Sequence, residues 1–149
     1  MSRVNQIRQV FMPQVYDIER PVREPLKLCL MSKQGSACYC LAVAGFDANV
    51  DIETQIANAR RAVRKATGAL WMLKEIGTYL VFESDGPITD IVADQLSVDR
   101  TGLHAVILQG IHIIGADGSE VCNLSNWGGR TFGDADTVRN AISRLINNA

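Results

Sequence analysis

The chain has 149 residues, 47% of them hydrophobic and 21% charged, with 15 Lys and Arg against 16 Asp and Glu. These proportions describe one soluble globular domain rather than a disordered or fibrous chain, and at this length about two-thirds of the unfolded surface can be buried without a disulfide or metal staple. A net charge of -1 offers no field to hold a polyanion, which argues against a dedicated nucleic-acid-binding domain, and the longest apolar run, 103–114, is broken by His104, Gln109, Gly110 and His112, too short for a membrane span.

Residues 1–25 read as an N-terminal arm, punctuated by Pro13, Pro21 and Pro25, ahead of a single α+β domain over 26–149. Val4, Ile7 and Phe11 after Ser2 suit a short amphipathic helix that ends before Pro13, and the prolines favour extended chain beyond it. An arm of this kind is expected to dock on its own domain or on a neighbouring subunit. The opening residues have neither a continuous apolar stretch nor a small-residue cleavage site, so a cytoplasmic protein without a membrane partner is expected.

Three hairpins are predicted next in the strand regions: 26–31 with 38–45, 70–75 with 78–84 about Ile76-Gly77, and 111–115 with 120–124 about Asp117-Gly118. Asp-Gly favours a type I′ turn, whereas the β-branched Ile76 suits positive φ poorly. Three helices are predicted after them. Asp51 caps one with the stripe Ile52, Ile56, Ala59, Val63 and Ala66, ended by Gly68. Pro87 opens a second that buries Ile88, Ile91, Val92 and Leu96, and Asp134 caps a third that buries Val138, Ala141, Ile142, Leu145 and Ile146.

The resulting order, ββαββαββα, predicts an antiparallel sheet built from hairpins with the helices packed on one face, and it hints at a threefold hairpin-helix pseudo-repeat. The outer face of such a sheet is still fairly apolar, so a homo-oligomer is expected, most simply a twofold dimer.

Two groups of residues carry candidate chemistry. With a turn at Gln34-Gly35, Cys29 lies opposite Cys40 and Met31 opposite Cys38, which places three thiols and a thioether on one strand face beside Lys27 and Lys33. Soft sulfur ligands suit Cu(I) or zinc, and nearby lysines favour thiolates, but the spacing is not that of a zinc knuckle, and small apolar core residues are the simpler reading of Cys29, Cys38 and Cys40. The second group is the loop Trp127, Gly128, Gly129, Arg130, Thr131 and Phe132, where backbone N–H groups and a guanidinium could receive an anion and the aromatics a ring. It has neither a Rossmann nor a Walker spacing, and Asp134 would repel a phosphate.

The basic cluster Arg60, Arg61, Arg64 and Lys65 fits a solvated helix face near a carboxyl end, and His104 and His112 interrupt an apolar strand as core or interface histidines do. No paired carboxylates or nucleophile-base set stands out. The expectation is a small non-catalytic binding or adaptor module, without a cofactor, that recognises a protein segment or an anionic small molecule. The competing reading is a metal, redox or cysteine-dependent enzyme built on Cys29, Cys38 and Cys40.

Overall fold

The computed structural model describes residues 2–34, 37–100, 103–126 and 135–148. Helices α1 (Arg3–Phe11), α2 (Ile52–Thr67) and α3 (Ala135–Asn147) enclose an open sheet of six strands: β1 (Ile18–Glu19), β2 (Leu26–Gln34), β3 (Ala37–Gly45), β4 (Ile76–Glu83), β5 (Val106–Ile114) and β6 (Glu120–Leu124). The strands lie side by side in chain order. β2 pairs antiparallel with β1 and β3, as β6 does with β5, but β4 is parallel to both β3 and β5. The sheet is therefore mixed, not the wholly antiparallel one expected.

The difference comes from the middle of the chain. β4 runs straight through Ile76-Gly77 and is buried as far as Phe82, the signature of a strand covered on both faces, where no polar alternation marks the turn. Residues 70–75, expected to be its hairpin partner, instead close a small turn through a Leu70–Lys74 bridge. The helix expected after Pro87 is reduced to a 3-10 turn at Ala93–Gln95, and Asp90 at φ 65° interrupts any helix across this stretch. Ile88, Ile91 and Leu96 still pack on the core, but from an irregular crossover between two parallel strands. The hairpin-helix pseudo-repeat is consequently not seen.

The helices cover both faces, not one. Ile56, Ala59 and Val63 of α2 pack against Cys29, Cys40, Ala42, Leu80, Phe82 and Ile111. On the opposite face, Ile7 and Phe11 of α1 join Val138, Ile142 and Ile146 of α3 over Leu30, Leu41, Val43, Tyr79 and Val81. The β3-α2-β4 and β4–β5 crossovers advance in one direction across the sheet and lie on one face, as connections of one hand must. The other face is left to the two terminal helices. The apolar outer face that made a dimer attractive is thus covered within the chain, and the arm supplies part of the cover.

Local chemistry follows expectation where the signals are strong. Ser2 caps α1 by accepting the Asn5 N–H at 3.2 Å; Asp51 caps α2 by accepting the Thr54 N–H at 3.0 Å, and Gly68 ends α2 at φ 72°. The α3 cap expected at Asp134 lies outside the described residues. In the β5–β6 hairpin only Gly118, at φ 85°, is left-handed, so the Asp117-Gly118 turn is not type I′; Asp117 accepts the Ser119 N–H at 3.1 Å instead.

Two β-bulges set which side chains face where. Leu26 pairs with Ala44 and Leu28 with Val43, leaving Lys27 as the extra residue of β2; Leu108 pairs with Thr78 and Gly110 with Tyr79, leaving Gln109 as the extra residue of β5. Each bulge shifts the alternation by one, so that in β5 Val106 and Leu108 face α2 before it and Ile111 and Ile113 face α2 after it.

Candidate functional site

The carboxyl ends of β3 and β4 open into a cleft of about 1430 Å³, walled on one side by Pro21 and residues 23–27 and on the other by Asn58, Arg61, Ala62, Lys65 and Ala66 of α2. Its floor is Gly45, Phe46, Asp47 and Ala48 after β3 and Ser84, Asp85, Gly86 and Pro87 after β4. The space outside the carboxyl ends of parallel strands is where open α/β sheets bind ligands, because the chain diverges there into loops. The volume exceeds the ~300–1,000 Å³ of an ordinary small-molecule pocket, leaving room for a segment of chain.

Sequence rules build the walls. Arg61 and Lys65 stand four residues apart and so share one face of α2, above the stripe that it buries. Lys27 is placed by the β2 bulge, the local device that re-aims a side chain at the rim of a sheet. Its stem crosses Gly45, where a Cβ would sit 3.4 Å from Lys27 Cε, and its ammonium lies 3.7 Å from Glu83 at the end of β4. Arg23 completes four cations, two from each wall, against the carboxylates of Glu24, Asp47 and Asp85.

The floor is braced rather than loose. The Gln55 side chain accepts the Asp47 N–H at 2.9 Å and donates to the Asp47 and Val50 carbonyls at 2.7 and 2.8 Å, fixing the loop into α2. The Phe46 N–H donates to the Glu83 carbonyl at 2.9 Å, and the Gly45 N–H to the Pro25 carbonyl at 3.2 Å. A site held this way meets a ligand with little ordering left to do.

The sulfur patch is real but closed. Cys29, Met31, Cys38 and Cys40 share the face under α2, as the alternation requires. The strand register is shifted by two from the one expected: Cys29 faces Ala42 and Met31 faces Cys40, because β2 and β3 stay paired as far as Gln34 and Ala37. A shift of two keeps every face and changes only the partners. The Cys29 and Cys40 sulfurs therefore meet diagonally at 3.5 Å. That contact lowers the Cys29 thiol pKa, against burial and with help from Arg20, while the same contact and burial raise Cys40 well above the usual thiol range. Both are sealed in the core, and among the described residues no group of three His, Cys, Asp or Glu side chains could hold a metal.

The histidines separate. His104 Nε2 lies 3.4 Å from Asp99, whose carboxylate accepts from Arg60 at 2.6 and 2.9 Å and from the Leu108 N–H at 2.8 Å, a clamp that ties the crossover to α2. His112 is fully buried under α3. Its Nδ1 meets the Tyr79 hydroxyl at 2.8 Å, and its Nε2 meets the Glu120 carboxylate at 3.2 Å. Tyr79 also lies 3.3 Å from Cys122, and Glu120 accepts from Ser143 at 2.8 Å. A consistent set of protons runs from the thiol to the phenol to Nδ1, with Nε2–H donating to Glu120.

Burial lowers the His112 pKa, raises the Tyr79 phenol far above its usual range and raises the Cys122 thiol, so all three are neutral near pH 7. An unactivated thiol and a histidine with both nitrogens engaged make a satisfied core network, not a nucleophile-base pair. Tyr79 and Glu120 were not legible as the partners of His112: a two-residue turn at Asp117-Gly118 would set His112 opposite Asn123, whereas it pairs with Cys122.

The loop residues Trp127, Gly128, Gly129, Arg130, Thr131 and Phe132 lie outside the described residues. Comparison of the chain with protein-family models, curated proteins and solved structures finds no match.

Proposed function

We propose that the protein is a non-catalytic binding module whose cleft at the carboxyl ends of β3 and β4 receives an anionic small molecule or an acidic protein segment. The observation that carries this reading is the pairing of Arg61 and Lys65 on one wall with Arg23 and Lys27 on the other, across a space larger than a small-molecule pocket. Carboxylate or phosphate groups would bridge the walls, the guanidinium groups of Arg23 and Arg61 offering two-pronged contacts and the lysines point charges. Half-buried Phe46, Ala62 and Ala66 supply the apolar area from which a bound segment would exclude water.

Titration calorimetry with citrate and with an oligo-glutamate peptide tests the proposal. Saturable binding of either, weakened about tenfold or more by the double substitution Arg61→Glu/Lys65→Glu, is the expected result, since reversing two contacts exchanges attraction for repulsion. Binding that is absent, or indifferent to those substitutions, would overturn it. The same titrations on Arg130→Ala and Trp127→Ala separate the cleft from the 127–132 loop, the other anion-receiving candidate.

A further inference from the structure

At the opposite end of the sheet, where β4 and β5 begin, the chain presents an apolar tip. After Gly68 it needs only to reverse from α2 into β4, which a polar turn would accomplish. It does so instead with Leu70, Trp71, Met72 and Leu73, which are 44%, 47%, 73% and 81% exposed. No other four consecutive large apolar residues stand exposed among the described residues. Leu103, 67% exposed, lies at the same end, two residues before Ala105, whose carbonyl accepts the Ile76 N–H at 2.9 Å.

The tip is built, not frayed. Leu70 and Lys74 exchange two backbone hydrogen bonds at 2.9 and 2.7 Å, and the Leu73 N–H donates to the Leu70 carbonyl at 3.0 Å. Met72 sits at φ 67°, a conformation rarely adopted by a residue with a long side chain and one kept only where the surroundings hold it. Its flanks are basic. Arg64 and Lys65 occupy the last turn of α2, and the Lys74 ammonium lies 3.8 Å from where a Cβ on Gly68 would stand, beside the same helix end. Between Arg64 and Glu75 the sequence has these three cations and the single carboxylate of Glu75, while Asp51 and Glu53 are at the far end of a helix about 24 Å long.

We propose that this tip is a peripheral membrane contact that inserts Trp71, Met72 and Leu73 into the interface of a bilayer bearing anionic lipid, with Arg64 and Lys74 at the headgroup phosphates. Indole at the headgroup level, aliphatic side chains below it and cations above it are the order of groups that such an interface selects, and apolar insertion together with basic charge supplies the two signals that lasting attachment needs.

Co-sedimentation with vesicles of phosphatidylcholine, with and without phosphatidylserine, together with tryptophan emission, tests the proposal. The full chain should sediment with the phosphatidylserine vesicles and shift its emission to the blue, and Trp71→Phe should lose that shift. Met72→Asp/Leu73→Asp should weaken sedimentation about tenfold or more, and raising salt to about 0.5 M should weaken what remains. Both positions are exposed, so the variant should keep its circular dichroism and melting curve; Leu73→Asp alone provides the check should the pair disturb the turn. Failure to associate with either vesicle, association that survives both variants, or lipid-free self-association abolished by the same substitutions would each overturn it.

Discussion

Gly110→Ala tests how the polar network under α3 is assembled. A Cβ at position 110 would lie 2.5 and 2.6 Å from ring carbons of Tyr79 and 3.0 Å from Leu124 Cδ2. Two of these distances fall well below van der Waals contact, so the buried Tyr79 ring must move, and with it the hydroxyl that meets His112 at 2.8 Å and Cys122 at 3.3 Å. Overpacking of this kind costs ~1–3 kcal/mol, and a buried hydrogen bond left unmade adds ~1 kcal/mol, for an expected loss of about 2–4 kcal/mol. In urea titrations the midpoint should fall accordingly, and thermal midpoints should drop by about 3 °C per kcal/mol.

The control is Gly45→Ala, whose Cβ would meet only the end of the Lys27 stem at 3.4 Å and should cost less than ~0.5 kcal/mol. In a Tyr79→Ala background the methyl at position 110 loses its two shortest contacts, and its cost should shrink, giving a coupling energy of at least ~1 kcal/mol in the double-mutant cycle. A Gly110→Ala cost below ~0.5 kcal/mol, or one unchanged in that background, would refute the claim that this glycine exists to seat the tyrosine.

Two further outcomes follow from other buried groups. Asp99→Ala removes the acceptor of two Arg60 N–H groups and of the Leu108 N–H and should cost ~3 kcal/mol in the same titrations, whereas Arg61→Ala on the solvated face of α2 should stay within ~0.5 kcal/mol. Burial sets the His112 pKa below 6.5, against the opposing pull of the Glu120 carboxylate, with Tyr79 and Cys122 on the Nδ1 side and the Arg139 charge reinforcing the downward shift. The unfolded chain therefore takes up the histidine proton first. This group's contribution is complete above about pH 6.5 and is lost as pH falls from there to the lowered native value, by at most ~1.4 kcal/mol per pH unit; His112→Gln should flatten that part of a stability-pH curve.

Elements whose causes are local were legible in the sequence. Ser2, Asp51 and Gly68 act on backbone groups within four residues, so α1 and α2 could be placed from their caps and stripes. The β2–β3 and β5–β6 hairpins follow from short turns between apolar runs, and the thiols of Cys29, Cys38 and Cys40 share a face because alternation along a strand is local too. Ile76 to Phe82 gave no comparable signal. A strand apolar on both faces reads the same whether its neighbours are parallel or antiparallel, and only docking between β3 and β5 settles which.

The cleft depends on that choice. Arg23 and Lys27, Arg61, and Asp85 come from three separate segments of chain, and nothing in the spacing of Arg61 and Lys65 distinguishes a ligand-facing helix surface from a solvated one. The parallel arrangement brings the ends of β3 and β4 together at one edge, and the Lys27 bulge turns an ammonium toward it. The same holds for the network under α3. Without the extra residue at Gln109, His112 would face α2 rather than Tyr79, so one unpaired residue in a strand decides which core receives the histidine. Periodicity and capping, which act over a few residues, were carried by the sequence itself; strand direction, the covering of both faces and the meeting of distant charges were decided by tertiary packing, because they depend on contacts between segments that no local pattern ranks.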